Sequence, residues 1–368
     1  MALSNVTFRD PFPPHCALAV VEATNIKYGR LLMAPSTASF EVRINDIALA
    51  TVPFQFGAMV SIERDDGLFP WVGMVTRRTF QAGAPTIQFE LKDHAGGLFA
   101  RAFTPENFLS LFFGVGGLFE IVKYIKGDAA TKIRLVLEEI DKRQSPPLLI
   151  KYDLASGGPV ILYLPQAVSI VDFLIGMHEL TNWEWGLNHT LTFDSLDTQL
   201  LWRERIGKDL RGQVSWEENH HFHSLTFTQD ASKFVETAIV IGAAKDEESK
   251  PPIATSVRDR TNLPPVLRGT VLEIELRTSD QETLQAEADR LRDDPTNRGE
   301  HVSFSLVESE IDVAGTDSPN PGDIVRIRFT DATVLRTRLV RILGTQHTAG
   351  TGIIEVEADV VPEEEDNF

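Results

Sequence analysis

The sequence has little of several features that define common protein classes. It contains a single cysteine, Cys16, among 368 residues. One thiol can neither close an intrachain disulfide nor supply a thiolate zinc cluster, so the fold depends on its apolar core. This composition fits assembly in a reducing cytoplasm, and the first residues lack the basic start and apolar stretch of an export signal.

Positive charge is also scarce. The chain has 35 Lys and Arg against 53 Asp and Glu, which gives a formal net charge of −18. A protein that binds a phosphate backbone releases counterions from a basic surface. The surplus of carboxylates therefore argues against a nucleic-acid reader.

Long apolar runs are absent. The most apolar stretch, Phe108–Phe119, is shorter than the roughly 20 residues of a membrane-spanning helix, so no stable membrane anchor is expected. The stretch is bulky and also contains glycines, which leaves two interpretations open, a buried helix or a contact with another subunit or a partner. The side chains predicted to form that contact are Phe108, Phe112, Phe113 and Phe119.

Motifs for catalysis and cofactor binding are missing. The sequence has no Gly-x-Ser-x-Gly, P-loop, His-Glu-x-x-His or dinucleotide fingerprint, so we predict neither an enzyme nor a bound cofactor or metal. The His220–His223 cluster could ligate a metal together with Glu218, but an exposed strand edge or turn is the favoured interpretation. Four tryptophans could form a sugar-stacking platform near Glu184 or Glu217, although such residues more often fill a core: Trp183, Trp185, Trp202 and Trp216.

What the sequence does contain is two β-patterned regions on either side of a mixed one. Alternating segments such as Trp71–Phe80 and Ile324–Phe329 predict strands. Between them, Ser169 and Asp172 form a capping-box pair at a predicted helix start, and Ser279 with Glu282 forms another. The predicted fold is mainly β with an α+β insertion: two related small β-barrel domains flank a central α+β region.

The predicted domain boundaries follow these changes of pattern. They are 1–103 for the first β-barrel, 104–234 for the central α+β region with helices and a Trp-rich hairpin, 235–361 for the second β-barrel, and 362–368 for an acidic tail.

The two β regions share an internal repeat. Gly57–Ile62 parallels Gly322–Ile327, and at the same offset Val75 falls opposite Val340. After a shift of two residues, Ile87–Glu90 aligns with Ile354–Glu357. Three strands and their turns therefore recur in order, which favours a duplication. A closed trimer of such chains would present six similar modules around one axis.

In the order of its elements the sequence resembles the tail-hub family of tailed bacteriophages, the baseplate hub or tail-tip hub proteins, which contractile injection systems share. In the N-terminal half the resemblance lies in Gly57–Ile62 followed by Trp71–Val75, and in the middle it lies in the helix and Trp-containing hairpin of Ile170–Phe193. In the C-terminal half it lies in Thr237–Gly242, Ser256–Asp259, Arg268-Gly269, the helix Ser279–Leu291, and Pro321–Val325.

The resemblance implies a structural virion protein of the viral tail. It implies a homotrimer whose barrels form a pseudo-hexameric ring on the tail tube or distal tail protein ring, with a central spike or fibre protein below. The ring would surround the channel for the tape-measure protein and for DNA, which is expected only as a transiting cargo during DNA ejection. The alternative is a β-rich carbohydrate-binding or carbohydrate-active protein.

Overall fold

The computed structural model describes the chain in ranges separated by short gaps and one longer gap. They are 4–10, 15–43, 58–64, 70–81, 84–99, 102–103, 125–143, 151–162, 168–192, 194–230, 234–244, 250–258, 270–275, 279–293, 300–312, 318–331 and 334–361. The four phenylalanines of the predicted contact segment and the acidic tail lie outside the described residues.

The N-terminal strands form a barrel. Strands β1 to β7 are Ser4–Arg9, Ala17–Val21, Ala23–Leu31, Thr37–Arg43, Met59–Arg64, Trp71–Phe80 and Thr86–Asp93. Their order in the sheet is β3-β4-β7-β6-β5-β1-β2. Only Glu22 separates β2 from β3. The two ends of the strand order are therefore one continuous stretch of chain, and the sheet curls back on itself.

The central region is an α+β insertion with its own core. After a π-helical turn at Ala95–Phe99 it contains β8 (Ala102–Phe103), β9 (Ile125–Asp128), α1 (Ala129–Arg143), β10 (Lys151–Leu154), β11 (Pro159–Leu162), β12 (Val168–Ser169), α2 (Ile170–Thr181), β13 (Glu184–Leu191) and β14 (Leu196–Arg203). The predicted capping box of α2 is confirmed: Ser169 Oγ accepts from the backbone N–H of Asp172, and the Asp172 carboxylate accepts from that of Ser169. Apolar faces of both helices pack on Trp185 and Trp202.

The C-terminal region contains a second barrel. Its elements are β15 (Ser215–Glu217), β16 (Phe222–Gln229), β17 (Thr237–Ile241), β18 (Ile253–Val257), β19 (Val271–Glu275), α3 (Gln281–Asp293), β20 (Glu300–Val307), β21 (Ile324–Asp331), β22 (Val334–Thr348) and β23 (Ile353–Val361). The barrel order is β16-β20-β23-β22-β21-β15. A short turn joins β15 to β16, so this sheet closes in the same way as the first.

The family resemblance implies that Thr237–Gly242 opens the second barrel, and this expectation is wrong. This strand, β17, lies between β18 and β19 in a separate three-stranded sheet. Helix α3 covers that sheet, with Leu284 and Ala288 buried against Ala238 and Val240. Alternation along a strand shows which face is buried but not which sheet the strand joins. The barrel instead draws on β15 and β16, which precede residue 235.

The helix α3 also begins differently from its prediction. Ser279 was expected to cap it, whereas the Asp280 carboxylate accepts the backbone N–H of Thr283 at 2.9 Å. Asp and Ser are both good N-cap residues, so local preference does not distinguish two neighbours of this kind.

The two barrels repeat in their irregularities as well as in their strand order. The pairing of β6 with β7 passes over Thr76, and the pairing of β22 with β23 passes over Leu343. We call two residues counterparts when they occupy equivalent positions in the strand pairing of the two barrels. Met74 lies two residues before the first bulge and Arg341 lies two residues before the second, so these two residues are counterparts. The sequence repeat instead places Val75 opposite Val340. It puts the two-residue shift after β6 and β22, whereas the structure puts it in the turns that precede these two strands, between β5 and β6 and between β21 and β22. The fold class, two related β units flanking an α+β region, is confirmed.

Candidate functional site

The two barrels are joined edge to edge within one continuous sheet. The second half of β22 pairs antiparallel with β3, so that Gly344 lies opposite Leu31 and His347 lies opposite Tyr28. Strands of both barrels consequently belong to one 13-stranded sheet and share a single apolar core. We call this pairing of β22 with β3 the internal joint.

Aromatic stacking and a close backbone approach define the internal joint. The rings of Tyr28 and His347 stack with 5.2 Å between their centroids. Each residue is only 2% exposed. A Cβ atom on Gly344 would lie 2.5 Å from Leu31 Cδ2. A side chain at this position would therefore require the exposed Leu31 side chain to move.

One ion pair and one hydrogen bond add to the contact between the barrels. Arg64, at the end of β5, donates to the Glu308 carboxylate at 2.7 Å, in the 3₁₀ turn Glu308–Glu310 that follows β20. Arg30 on β3 donates to Asn320 Oδ1 at 3.2 Å. Burial lowers the pKa of Arg30, while Tyr28 and Asp323 raise it in part. The barrels are thus held by backbone pairing, stacking and charge together.

The insertion docks on the N-terminal barrel through the hairpin β13–β14. Arg9 is buried and donates to the carbonyl oxygen of Thr192, in the hairpin turn, at 2.9 Å. The same guanidinium donates to Glu63 at 3.2 Å. Beside it, Met74 packs with Leu196 in a small apolar cluster. One charged contact and one apolar contact therefore fix the hairpin on this barrel.

The same hairpin docks on the C-terminal barrel through a buried ion pair. Arg341 on β22 donates to the Glu184 carboxylate of β13 at 2.6 Å. The backbone N–H of Ile206 donates to the same carboxylate at 2.7 Å. Gly207 and Gly322 meet here backbone to backbone, and both have positive φ angles, +92° and +96°. Arg341 is the counterpart of Met74, so equivalent strand positions hold the insertion from both barrels.

Two histidines lie where the end of β7 meets β13. The ring centroids of His94 and His189 are 5.3 Å apart. Burial lowers the pKa of His94 well below its usual value, with further lowering by His189 and His15. Burial, with a smaller effect of Arg30, lowers the pKa of His189 to about 4. Both rings are therefore neutral at pH 7.

Each barrel also has an edge that no described strand covers. The second half of β6 pairs with β7 on one side, and β5 pairs only with its first half. In the same way, β16 pairs with β20 alone among the described strands. Phe80, at the end of β6, is 57% exposed. We call the second half of β6 the β6 edge and the outer side of β16 the β16 edge.

The histidine cluster is a turn and strand start. His220 and His221 stack with centroids 4.3 Å apart in the β15–β16 turn. The backbone N–H of Glu217 donates to Nδ1 of His221 at 2.9 Å, and Phe222 is buried. Within the described ranges no group of His, Cys, Asp and Glu is arranged to hold a metal ion.

The tryptophans occupy cores. Trp185, Trp202 and Trp216 are almost fully buried, and the half-buried Trp183 stacks on Trp202 at 6.4 Å between centroids. Glu184 is engaged by Arg341, and Glu217 pairs with Arg328 at 2.9 Å. The structure therefore does not bring these residues together as a sugar platform.

The described helices can be compared with the length and hydropathy of a membrane-spanning segment. None of them is both long and apolar enough to cross a membrane. The edges of β6 and β16 were not identified from the sequence as contact surfaces. The exposure of Phe80 is visible only in the folded chain, so the sequence offered no signal for the β6 edge.

These features define a protein of two similar barrels, joined in one sheet and bridged by an α+β insertion. No protein-family model and no curated protein matches the sequence. Solved structures with this fold include tail proteins. The 43 kDa tail protein of prophage MuSo2 from Shewanella oneidensis matches with a TM-score of 0.65 and 11% identity, covering 98% of both chains.

Two further structures match over nearly their whole length. A tail protein from Neisseria meningitidis MC58 has a TM-score of 0.60 and 10% identity, with 98% of this chain and 97% of that one covered. A prophage tail protein from Listeria monocytogenes EGD-e has a TM-score of 0.57 and 10% identity, with 97% and 94% covered. The chain therefore has a phage tail protein fold.

Proposed function

We propose that the protein is a structural subunit of a phage-type tail, the hub of a tail tip or baseplate. The observation on which the proposal rests is the internal joint: one chain presents two barrels of the same strand order side by side in one sheet. The tail protein fold over almost the full chain supports the same assignment. The protein would assemble in the host cytoplasm and reside in the virion tail.

The hub would be a homotrimer. Three chains with two barrels each make a ring of six similar modules, which matches a six-fold tube on one face and a three-fold tip on the other. Its partners would be the tail tube or distal tail protein ring above and a central spike or fibre protein below. The tape-measure protein and the DNA would pass through the channel as cargo.

The role would be structural and without catalysis. The Trp and Glu residues considered for a sugar site are engaged in cores and ion pairs, so no observation favours the carbohydrate alternative. The net charge of −18 suits a channel past which DNA moves, because like charges prevent adhesion.

The mass of the assembled protein tests this function. Native mass spectrometry of the full chain is expected to show a species of three copies, and electron microscopy of that species a ring with six similar lobes. A protein that stays monomeric at high concentration, and forms no ring in assembled particles, would contradict the hub assignment.

A further inference from the structure

The two strands that form the internal joint each have an equivalent strand in the other barrel, and those two equivalent strands are not paired with each other within one chain. The internal joint is built from the second half of β22 and from β3. In the N-terminal barrel the counterpart of β22 is β6, and in the C-terminal barrel the counterpart of β3 is β16. These two counterparts are the β6 edge and the β16 edge, neither of which any described strand covers.

The register of the two edges follows from strand pairing. Arg77 pairs with Glu90 in the first barrel, and Gly344 pairs with Glu357 at the equivalent position of the second. Three residues further along each strand are Phe80 and His347, which are therefore counterparts. On the other edge, Phe227 is the counterpart of Tyr28. It pairs with Val302 of β20 as Tyr28 pairs with Ala38 of β4.

Strands β3 and β16 share the same irregularity, which supports the equivalence. Each has a bulge near its start, where two of its residues lie opposite one residue of the neighbouring strand. The two bulges lie one position apart, opposite Phe40 in the first barrel and opposite Ser305, the counterpart of Glu41, in the second. Each adds one residue to its strand, so the pairing is equivalent before and after the bulge. The register of the internal joint can therefore be transferred to the open edges.

We infer that the β6 edge of one copy of this chain pairs antiparallel with the β16 edge of a second copy. In the register of the internal joint, Phe80 lies opposite Phe227 and Thr79 lies opposite Thr228. This inference rests on the proposed hub function and names the contact by which its subunits join.

The side chains at the two edges fit such pairing. Phe80 is 57% exposed in the single chain, whereas its counterpart His347 is 2% exposed and stacked. The ring of Phe227 already packs beside Phe329, with 5.7 Å between centroids, and offers a surface on which Phe80 can lie. An aromatic pair across two strands adds to the stability of their pairing.

Charge favours pairing between the two different edges over pairing of like edges. The transferred register places Arg77 opposite Asp230. Two β6 edges paired antiparallel about Arg78 would instead place arginines opposite each other, and like charges directly opposite destabilise strand pairing. The contact is therefore head to tail, and such contacts produce a ring when the rotation between copies closes.

A disulfide cross-link tests the register. In a full-length Cys16→Ser background, which has no other cysteine, we combine Thr79→Cys with Thr228→Cys and oxidise mildly. Directly opposite residues lie within disulfide range. Non-reducing gels should show most of the protein in covalent species up to three copies.

The matched control moves one cysteine along the same face of β16. Thr79→Cys with Thr226→Cys places the thiols diagonally, about 7–8 Å apart between Cα atoms, which exceeds the usual span of a disulfide. Its yield should be at least about fivefold lower. Equal yields for the two pairs would overturn the register.

A second variant tests the contact without cysteines. Phe80→Asp places a charge at the centre of the joint and should raise the dissociation constant of assembly at least about tenfold. Phe80→Tyr should assemble normally. Because Phe80 is exposed in the single chain, thermal unfolding of the Phe80→Asp monomer should match that of the unaltered chain.

The outcomes separate this inference from the proposed function. A native trimer that persists in Phe80→Asp and gives no Thr79–Thr228 cross-link overturns the joint and leaves the hub function intact. A specific cross-link in a ladder that continues past three copies supports the joint and overturns the closed trimer. A chain that is monomeric in all preparations and forms no ring in particles overturns both.

Discussion

The two barrels reach the same strand order with different core side chains. Phe40 and Phe304 are counterparts, but the neighbour of the first is Phe89 and that of the second is Val356. The smaller residue is compensated elsewhere: Phe222 lies where the N-terminal barrel has Ala23. Protein interiors are close-packed, so a barrel of given size needs a given total volume but not given residues at each position.

The barrels also differ in how they hold the insertion. Met74 contacts the hairpin through an apolar cluster, and its counterpart Arg341 contacts it through a buried ion pair. The position in the strand is the same and the chemistry is opposite. The comparison teaches that the repeat preserves the backbone geometry of the strand, while the chemistry of each side chain depends on the part of the hairpin that it contacts.

The largest expected effect comes from the shared core position. Phe40→Ala and Phe304→Ala should each lower the free energy of unfolding by about 3–5 kcal/mol, because both remove a buried ring and leave a cavity. Urea denaturation measures both. The exposed Phe80→Ala is the control, with an expected change below about 0.5 kcal/mol in the monomer. A cost below about 1 kcal/mol at only one of the two core positions would show that the barrel cores are not equivalent.

The ion pair is next in size. Arg341→Met should cost about 3 kcal/mol in unfolding free energy, since it leaves the buried Glu184 carboxylate without its cation. Adding Glu184→Gln should recover at least half, because the amide oxygen still accepts the Ile206 N–H. At the counterpart position, Met74→Leu should cost less than about 1.5 kcal/mol. Urea denaturation measures both changes in unfolding free energy. Equal changes for Arg341→Met and Met74→Leu would show that the ion pair and the apolar contact contribute equally to stability.

Two glycines of the C-terminal barrel compare a position in contact with the insertion and a position without such a contact. Gly322→Ala and Gly350→Ala both place alanine at positive φ, +96° and +79°. Strain alone should cost about 1 kcal/mol at Gly350, where a Cβ meets nothing within 4 Å. At Gly322 a Cβ would lie 2.4 Å from the Ile206 carbonyl oxygen, so the cost should rise to about 2–3 kcal/mol. Thermal unfolding of the two variants checks the difference, and similar melting temperatures would contradict it.

The remaining expected effect is a dependence on pH where the N-terminal barrel meets the insertion. The folded state lowers the pKa of His94 and His189, so the unfolded chain binds protons first as the pH falls. The stability contributed by these histidines is therefore complete above pH 6.5 and declines as the pH falls toward about 4, by about 3 kcal/mol for the shift of His189. Burial raises the pKa of Asp93, which acts in the opposite direction at the acidic end.

Urea midpoints at several pH values measure this decline. The His189→Gln variant should flatten it, whereas replacing the exposed His223 by Gln should leave it unchanged. A decline that persists unaltered in His189→Gln would exclude this histidine as its source.

Local features could be predicted from the sequence and partner choice could not. Alternation placed β6, β7 and β21 close to their observed bounds, and the Ser169 capping box marked the start of α2. The same alternation in β17 was assigned to the wrong sheet. The Trp-containing hairpin was predicted to end by Phe193, whereas it is formed by Glu184–Leu191 and Leu196–Arg203. Strand pairing depends on residues distant in the chain, which a local pattern does not contain.

The candidate surfaces show the same division. The contact predicted at Phe108, Phe112, Phe113 and Phe119 remains a prediction, since these residues lie outside the described ranges. The edges of β6 and β16 emerged only when each strand had been matched to its counterpart. An open edge is a property of the whole sheet and has no signature in the strand itself.

By itself the sequence determined that the chain is mainly β with a helical insertion, that three strands recur, and that a single cysteine leaves stability to the core. These follow from periodicity and composition, which are local or additive. The tertiary structure alone decided that the barrels merge into one sheet through β22 and β3 and that the register is set by bulges. It did so because the hydrogen bonds of a strand are satisfied by whichever strand long-range packing places beside it.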